Sequence, residues 1–260
     1  MEPKTLHIDI LTLFPGFFEG PLATSILGKA IEKGVVSVKC HDIRDWADGA
    51  YRQTDDIPYG GGPGMVLMPQ PLAKSVEAVR EMRNAQGLDP RLILLCPRGK
   101  TLSRNMLENW AASDFEKHSL LIVSGHYEGF DERIYELFRW EIVSLGDFVL
   151  SGGEIPALAI VDGVTRLIEG ALGNSDSLNH ESFNDENLLD HPAYTRPPEF
   201  RGLKVPEVLL GGNHAKIETW RAMKRRELTM RYRPDLADKT ETEKTENPYN
   251  VNNKKQDRDE

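Results

Sequence analysis

The sequence predicts an α/β protein built on a mainly parallel sheet, and three observations predict it. Short runs rich in Val, Ile and Leu alternate with longer segments of helical character through the first two-thirds of the chain. Two of those runs, residues 92–96 and 120–124, are continuously apolar, which is the pattern of strands covered on both faces. Glycine-bearing loops follow both of them, at the position where open α/β sheets bind ligands.

Taken in order, residues 6–13 alternate as a strand does and carry a single acid, Asp9. A helix is expected over 24–33 and a strand over 35–40. Pro71 marks the start of a helix over 71–86, because proline lacks only an N–H that the first turn leaves unpaired anyway. Ser103 marks another start, for a helix over 103–110, and a further helix is expected over 131–138. Residues 145–154, Leu-Gly-Asp-Phe-Val-Leu-Ser-Gly-Gly-Glu, hold two carboxylates and no cation. Glycines at 146, 152 and 153 permit positive φ and close backbone approach, so the run reads as a cofactor loop held by main-chain groups, or else as an elaborate turn before a helix starting near Glu154.

The chain has 260 residues, enough for one large domain or for a domain with a small appendage. With 39% apolar and 28% charged residues, it holds no apolar stretch near the ~20 residues needed to span a bilayer. The first residues lead directly into the alternating strand with no signal-peptide pattern, so a cytoplasmic, membrane-free protein is expected. Cys40 and Cys96 lie far apart within strand-like segments, which argues for two core thiols and against a disulfide framework or a metal site. Net charge is −9, but residues 216–233 carry seven Lys or Arg against two Glu, whereas 174–191 carry five Asp or Glu and no Lys or Arg. Such a local basic face is what a phosphate backbone meets.

Tyr59-Gly-Gly-Gly-Pro-Gly-Met65 is the densest glycine cluster. It lacks the Lys-Ser/Thr of a P-loop and the spacing of a dinucleotide fingerprint, and Asp55 and Asp56 before it repel phosphate, leaving a flexible surface loop or a weak cradle. Neither a GxSxG elbow nor HExxH is present, so hydrolase and zinc-protease chemistry find no support. Residues 173–187 are polar and rich in turn formers, as an interdomain linker is. Asn213 is placed to cap a helix after Gly211-Gly212, and Ile217, Trp220 and Met223 are expected on its packing side, with Arg221, Lys224 and Arg225 on another. Beyond residue 238 the chain reads as a disordered tail.

The segments Tyr59-GGGPGM, Leu95-CPRGK, Gly125-HYEGFDER, Leu145-GDFVLSGGE, Glu181-SFNDENLLDHPAYTRP and Gly211-GNHAKI together resemble the bacterial tRNA (guanine-37-N1)-methyltransferase family of the SPOUT class, in that family's order and over residues 6–236. The resemblance implies a deep trefoil knot in residues 1–172 that binds S-adenosylmethionine. It also implies a linker at 173–187, a helical tRNA-binding domain at 188–237 and a tail at 238–260. By the same resemblance, the cofactor residues are Leu94, Leu95 and Pro97 in the first loop and Gly125, Tyr127, Glu128 and Gly129 in the second. The third loop supplies Ser144, Leu145, Gly146, Asp147, Phe148, Val149, Leu150, Gly152 and Gly153, with Pro156 after it.

Methylation of guanine N1 requires that its proton leave, so a general base and a stabiliser of charge on O6 are needed. The resemblance assigns these roles to Glu181 and Arg166. The family pattern has aspartate at the base position, and glutamate is one methylene longer; Asp176 and Asp185 are the nearby substitutes. Glu181 is expected to be disordered until tRNA docks. Ser182, Asn213, His214, Arg221, Lys224 and Arg225 are the implied tRNA contacts. Guanosine 37 of tRNA, a homodimer with Glu181 coming from the second copy, and a magnesium requirement without an identified site complete what the resemblance implies. The alternative is a non-catalytic RNA-binding protein that keeps the knot fold, and its support is the glutamate at 181.

Overall fold

The computed structural model describes residues 4–173, 178, 181–183 and 187–236, and the chain divides into two compact units, Met1–Ser175 and Asp176–Glu260. Asp176, Asp185 and the tail from residue 237 lie outside the described residues.

In the first unit β1 (Leu6–Thr12) leads through a 3-10 turn at Pro15–Phe18 into α1 (Glu19–Leu22), α2 (Ser25–Glu32) and β2 (Val36–Asp42). A second 3-10 turn at Ile43–Trp46 precedes the two-residue strands β3 (Asp55–Asp56) and β4 (Val66–Leu67), then α3 (Pro69–Asn84) and β5 (Asp89–Thr101). The unit continues through α4 (Arg104–Ala111), β6 (His118–Ser124), α5 (Arg133–Leu137), β7 (Glu141–Ser144) and α6 (Glu154–Thr165). Five strands form one sheet in the order β2-β1-β6-β5-β7, and every neighbouring pair is parallel.

Strand periodicity explains why the central runs are apolar throughout. Ile93, Leu95, Leu120 and Ile122 face a core shared with Leu27, Trp110, Ile160 and Val164 of α2, α4 and α6. Leu92, Leu94, Leu121 and Val123, one residue out of step, face Leu72, Val76, Val79 and Ile134 of α3 and α5. A sheet covered on both faces has no position for a solvated side chain in its middle strands.

One charged residue is nonetheless buried in it. Asp9 on β1 has no exposed surface and accepts from Arg83 Nε at 2.6 Å, Arg83 Nη2 at 3.1 Å and His41 Nε2 at 2.8 Å. Arg83 closes the inward stripe of α3, after Leu72, Val76 and Val79.

Several expectations need correction at the level of local structure. Helix α3 begins at Pro69, not Pro71, because the earlier proline already occupies the first turn. Strand β5 runs to Thr101, well past the apolar stretch, with a register shift against β7 between Leu95 and Lys100. Gly99 sits in that irregularity, where a Cβ would collide with the backbone of Val143. The edge strand β7 was not foreseen, since Glu141–Ser144 is too short and mixed to announce itself.

The second unit holds a hairpin of β8 (Glu199–Phe200) and β9 (Leu203–Lys204), then α7 (Glu207–Leu210) and α8 (His214–Tyr232). Asn213 caps α8, accepting from the amide of Lys216 at 3.1 Å. The packing side of α8 differs from expectation: Met223 is 53% exposed, whereas Arg221, Lys224 and Arg225 are half-buried. The inward stripe follows the helical period through Ile217, Trp220, Arg221, Lys224, Leu228 and Thr229, and the long cationic stems cover surface while their heads reach out.

Candidate functional site

Because β6, β5 and β7 are neighbours and parallel, the loops leaving them gather at one edge of the sheet. Together they enclose a cavity of about 370 Å³. Leu95 and Pro97 come from the irregular part of β5, while Gly125, Tyr127, Glu128 and Gly129 follow β6. Ser144 and Leu145 at the end of β7, then Phe148, Val149, Leu150, Gly152 and Gly153, form the third wall, with Pro156 from the first turn of α6.

Three expected residues do not line the cavity. Leu94 is fully buried and points, by strand alternation, into the α3 side of the core. Gly146 and Asp147 stand behind the lining as the turn that shapes it: the Gly146 carbonyl accepts from Ser144 Oγ at 3.0 Å and from the Phe148 amide at 2.9 Å. Of the two reasons expected for the glycines of this loop, positive φ and close approach, only the second applies, and the approach is to neighbouring protein atoms. None of Gly146, Gly152 and Gly153 has positive φ, but each is crowded. A Cβ on Gly153 would lie 2.7 Å from Ser124 Cα, and one on Gly152 would run into the Glu154 carboxylate. Close approach, not backbone conformation, excludes side chains here. Left-handed geometry occurs instead at Tyr127, φ 59°, on the second wall.

Behind Gly152 the carboxylate of Glu154 is nearly buried and accepts from Thr12 Oγ1 at 2.8 Å, joining the first turn of α6 to the end of β1. On the opposite wall Cys96, Arg98 and Tyr135 line the cavity, and sequence reasoning did not assign them. Cys96 is therefore a cavity thiol and not the plain core thiol expected; its Sγ lies 3.1 Å from the Tyr135 hydroxyl. Arg98 sets its guanidinium 5.0 Å from the Tyr135 ring centre and holds both Glu132 oxygens at 2.8 Å. Burial, then the Cys96 contact, pushes the Tyr135 phenol upward, so it stays protonated and able to donate. Cys96 and Arg98 were within reach of sequence reasoning, since they flank Pro97; nothing in a five-residue helix marked Tyr135.

Glu128 is an exposed carboxylate in the cavity wall, and the rest of that wall is largely apolar side chain and main chain. A concave, mostly apolar seat with one convergent acid fits an adenosine-bearing cation, and its volume falls in the usual range of about 300–1,000 Å³ for small-molecule sites. Among the described residues no three His, Cys, Asp or Glu gather as metal ligands.

Arg166 is the half-buried C-cap of α6. Glu181 belongs to the second unit, in a short described stretch whose neighbours are tied down. Ser182 Oγ accepts from the Asp190 amide at 2.9 Å, and the Phe183 amide donates to Leu188 O at 2.8 Å. Residues 181–183 thus have a defined turn. On α8, Arg221 pairs with Glu218 at 2.8 Å and Lys224 with Glu227 at 2.6 Å. Arg225 Nε donates to Leu189 O at 3.3 Å, and Thr229 Oγ1 accepts from the Leu189 amide at 2.9 Å.

Fold and cavity define an α/β protein with an open cavity at the carboxyl edge of a parallel sheet. The family model for tRNA (guanine-1)-methyltransferase, TrmD, matches residues 6–239, and the chain belongs to that family. Among similar proteins is the tRNA (guanine-N(1)-)-methyltransferase of Geobacter sulfurreducens, 49% identical over 236 residues, covering 91% of this chain and 93% of the relative. The protein of the same name from Oceanobacillus iheyensis is 48% identical with the same coverage. That from Geobacillus kaustophilus is 48% identical over 233 residues, covering 90% and 92%. No helix among the described residues is long and apolar enough to cross a membrane.

Proposed function

We propose that this chain transfers the methyl group of S-adenosylmethionine to N1 of guanosine 37 in tRNA. The observation that carries the reading is the cavity of about 370 Å³ at the ends of β5, β6 and β7, in a chain matched by the tRNA (guanine-1)-methyltransferase family over residues 6–239. S-adenosylmethionine, when bound, supplies the methyl group on a sulfonium. Backbone groups of residues 144–153 hold the adenine beside Leu145 and Leu150, and Glu128 faces the cationic end. Glu181 accepts the N1 proton, and the Arg166 guanidinium offsets charge gathering on O6. A magnesium requirement for turnover belongs to the same proposal.

The knot, a cytoplasmic homodimer and an RNA-binding role for residues 188–237 are parts of this reading. Support for a knotted chain comes from the family match over residues 6–239. Phe148, 55% exposed, and Val149, 81% exposed, beside the cavity support a second copy covering that surface. Asn213, His214, Arg221 and Lys224 present polar groups along the start of α8, where phosphate exchanges for Glu218 and Glu227 as partner.

The test is transfer from labelled S-adenosylmethionine to unmodified tRNA, comparing guanosine with adenosine at 37 and the wild type with Glu181→Gln. Transfer that is lost in both comparisons supports the reading. Cofactor and tRNA binding without transfer would move the protein to the non-catalytic alternative.

A further inference from the structure

The glycine cluster of residues 59–65 is an exposed loop, as one reading of its sequence had it, but one end of it is tied to the cavity wall. Gly60, Gly61, Gly62 and Gly64 all have positive φ, at 86°, 76°, 125° and 84°. For the first three a Cβ would meet nothing within 4 Å, so glycine serves only backbone conformation there. Gly64 differs in kind. A Cβ on it would lie 2.5 Å from both Cγ and Oε1 of Glu128 and 2.9 Å from Cδ. The bare Cα of Gly64 is therefore the surface against which the Glu128 side chain rests.

Backbone contacts fix the two loops to each other at this point. The Glu128 amide donates to Met65 O at 3.0 Å, the Leu67 amide to Gly129 O at 2.9 Å, and the Asp131 amide to Leu67 O at 3.1 Å. Leu67 bridges Phe130 in parallel and is itself buried, and β4 is paired to β3 across the base of the loop. The loop is thus anchored on the Glu128 side, while Tyr59 at its far end is fully exposed.

We propose that Gly64 is a positioning residue for Glu128, and that the glycine-rich loop sets where this carboxylate stands in the cavity. The proposal rests on the reading of the cavity as the S-adenosylmethionine site, with Glu128 facing its cationic end. Gly64 touches no ligand in this account; it acts through the side chain it supports.

Matched substitutions separate this role from backbone strain. Gly64→Ala and Gly61→Ala impose the same left-handed strain on an alanine, but only the first meets Glu128. Calorimetric titration with S-adenosylmethionine is expected to show binding weakened about tenfold in Gly64→Ala and little changed in Gly61→Ala, with Gly64→Ala adding nothing in a Glu128→Ala background. Equal losses in the two alanine variants, or losses at 64 and 128 that simply multiply, overturn the proposal. Crystal structures of both alanine variants supply a readout independent of cofactor: the Glu128 carboxylate moves in Gly64→Ala alone. If the wild type fails to bind S-adenosylmethionine, the cofactor reading falls, and an unmoved Glu128 in Gly64→Ala would still refute the positioning role.

Discussion

Thr12 and Glu154 lie 142 residues apart in sequence and share a 2.8 Å hydrogen bond, Oγ1 to Oε1, with both side chains buried. The bond ties the end of β1 to the first turn of α6, immediately behind the glycines that close the third wall of the cavity. Thr12→Val keeps the shape and removes the donor, leaving a buried carboxylate short of a partner. Stability is expected to fall by about 1–3 kcal/mol in urea titration, with weaker S-adenosylmethionine binding. Unchanged binding in a destabilised protein would confine the bond to folding.

Asp9 gives stability a pH dependence of defined sign. Burial alone would raise its pKa, but hydrogen bonds from His41 and Arg83 outweigh burial and hold the carboxyl below its ordinary value. A carboxyl depressed on folding contributes its full stabilisation above the ordinary carboxylate range and loses it as pH falls through the folded value. Asp9→Asn leaves Arg83 buried without its counter-charge and is expected to cost about 3–5 kcal/mol at neutral pH. Denaturation of both proteins across acid pH checks this: the gap between them narrows below about pH 4, and a constant gap contradicts the assignment.

Tyr135→Phe removes the hydroxyl that meets Cys96 Sγ while leaving the ring beneath Arg98. Loss of one net hydrogen bond in the cavity wall is expected to weaken S-adenosylmethionine binding about 2–10-fold, with smaller change in tRNA affinity. Titration of both ligands against the variant decides it.

The two thiols should differ in reactivity. Burial, then the charge of Asp9, pushes Cys40 up to about 11, whereas Cys96 opens on the cavity. Mass spectrometry after brief iodoacetamide treatment at neutral pH is expected to find label at Cys96 first, and S-adenosylmethionine is expected to slow it. Labelling of Cys96 at the same rate with saturating cofactor would place the ligand elsewhere.

On α8 the cations divide between two jobs. Arg221→Ala and Lys224→Ala are expected to weaken tRNA binding and to lower the salt slope by about one unit each, without sequence preference. Arg225→Ala removes the contact with Leu189 O and should lower the thermal stability of the second unit more than it alters the salt slope. Binding measured across ionic strength, alongside calorimetry, separates the two.

Much of the fold was legible because the central runs of β5 and β6 are buried on both faces and therefore apolar; β1 and β2 also stand close to where strands were expected, and β5 extends past its run at both ends. Strand β7 was not, since four residues carry too little periodicity. Of the site, the glycine-bearing loops after β5 and β6 were legible from their position at strand ends, whereas the individual residues were implied by the family resemblance. Tyr135 was not, because its role depends on a contact with Cys96 across 39 residues that no local pattern encodes. Helix α8 misled for a related reason. Arginine and lysine count as solvent-facing in a hydrophobic pattern, although Arg221, Lys224 and Arg225 lay their stems inward while Met223 faces out.

The irregularity in β5 divides that strand's pairing with the edge strand into two short stretches that meet at Val143. Ile93, Leu94 and Leu95 pair with Glu141, Ile142 and Val143, and pairing resumes only at Lys100 and Thr101. Between them residues 96–99 leave the ladder, and Cys96, Pro97 and Arg98 build the cavity wall, while β7 runs on without a gap, its Val143 opposite both Leu95 and Lys100. A ligand in the cavity is expected to brace that junction, and its signature would be slower amide exchange along Glu141–Ser144, a strand that lines the cavity through Val143 and Ser144.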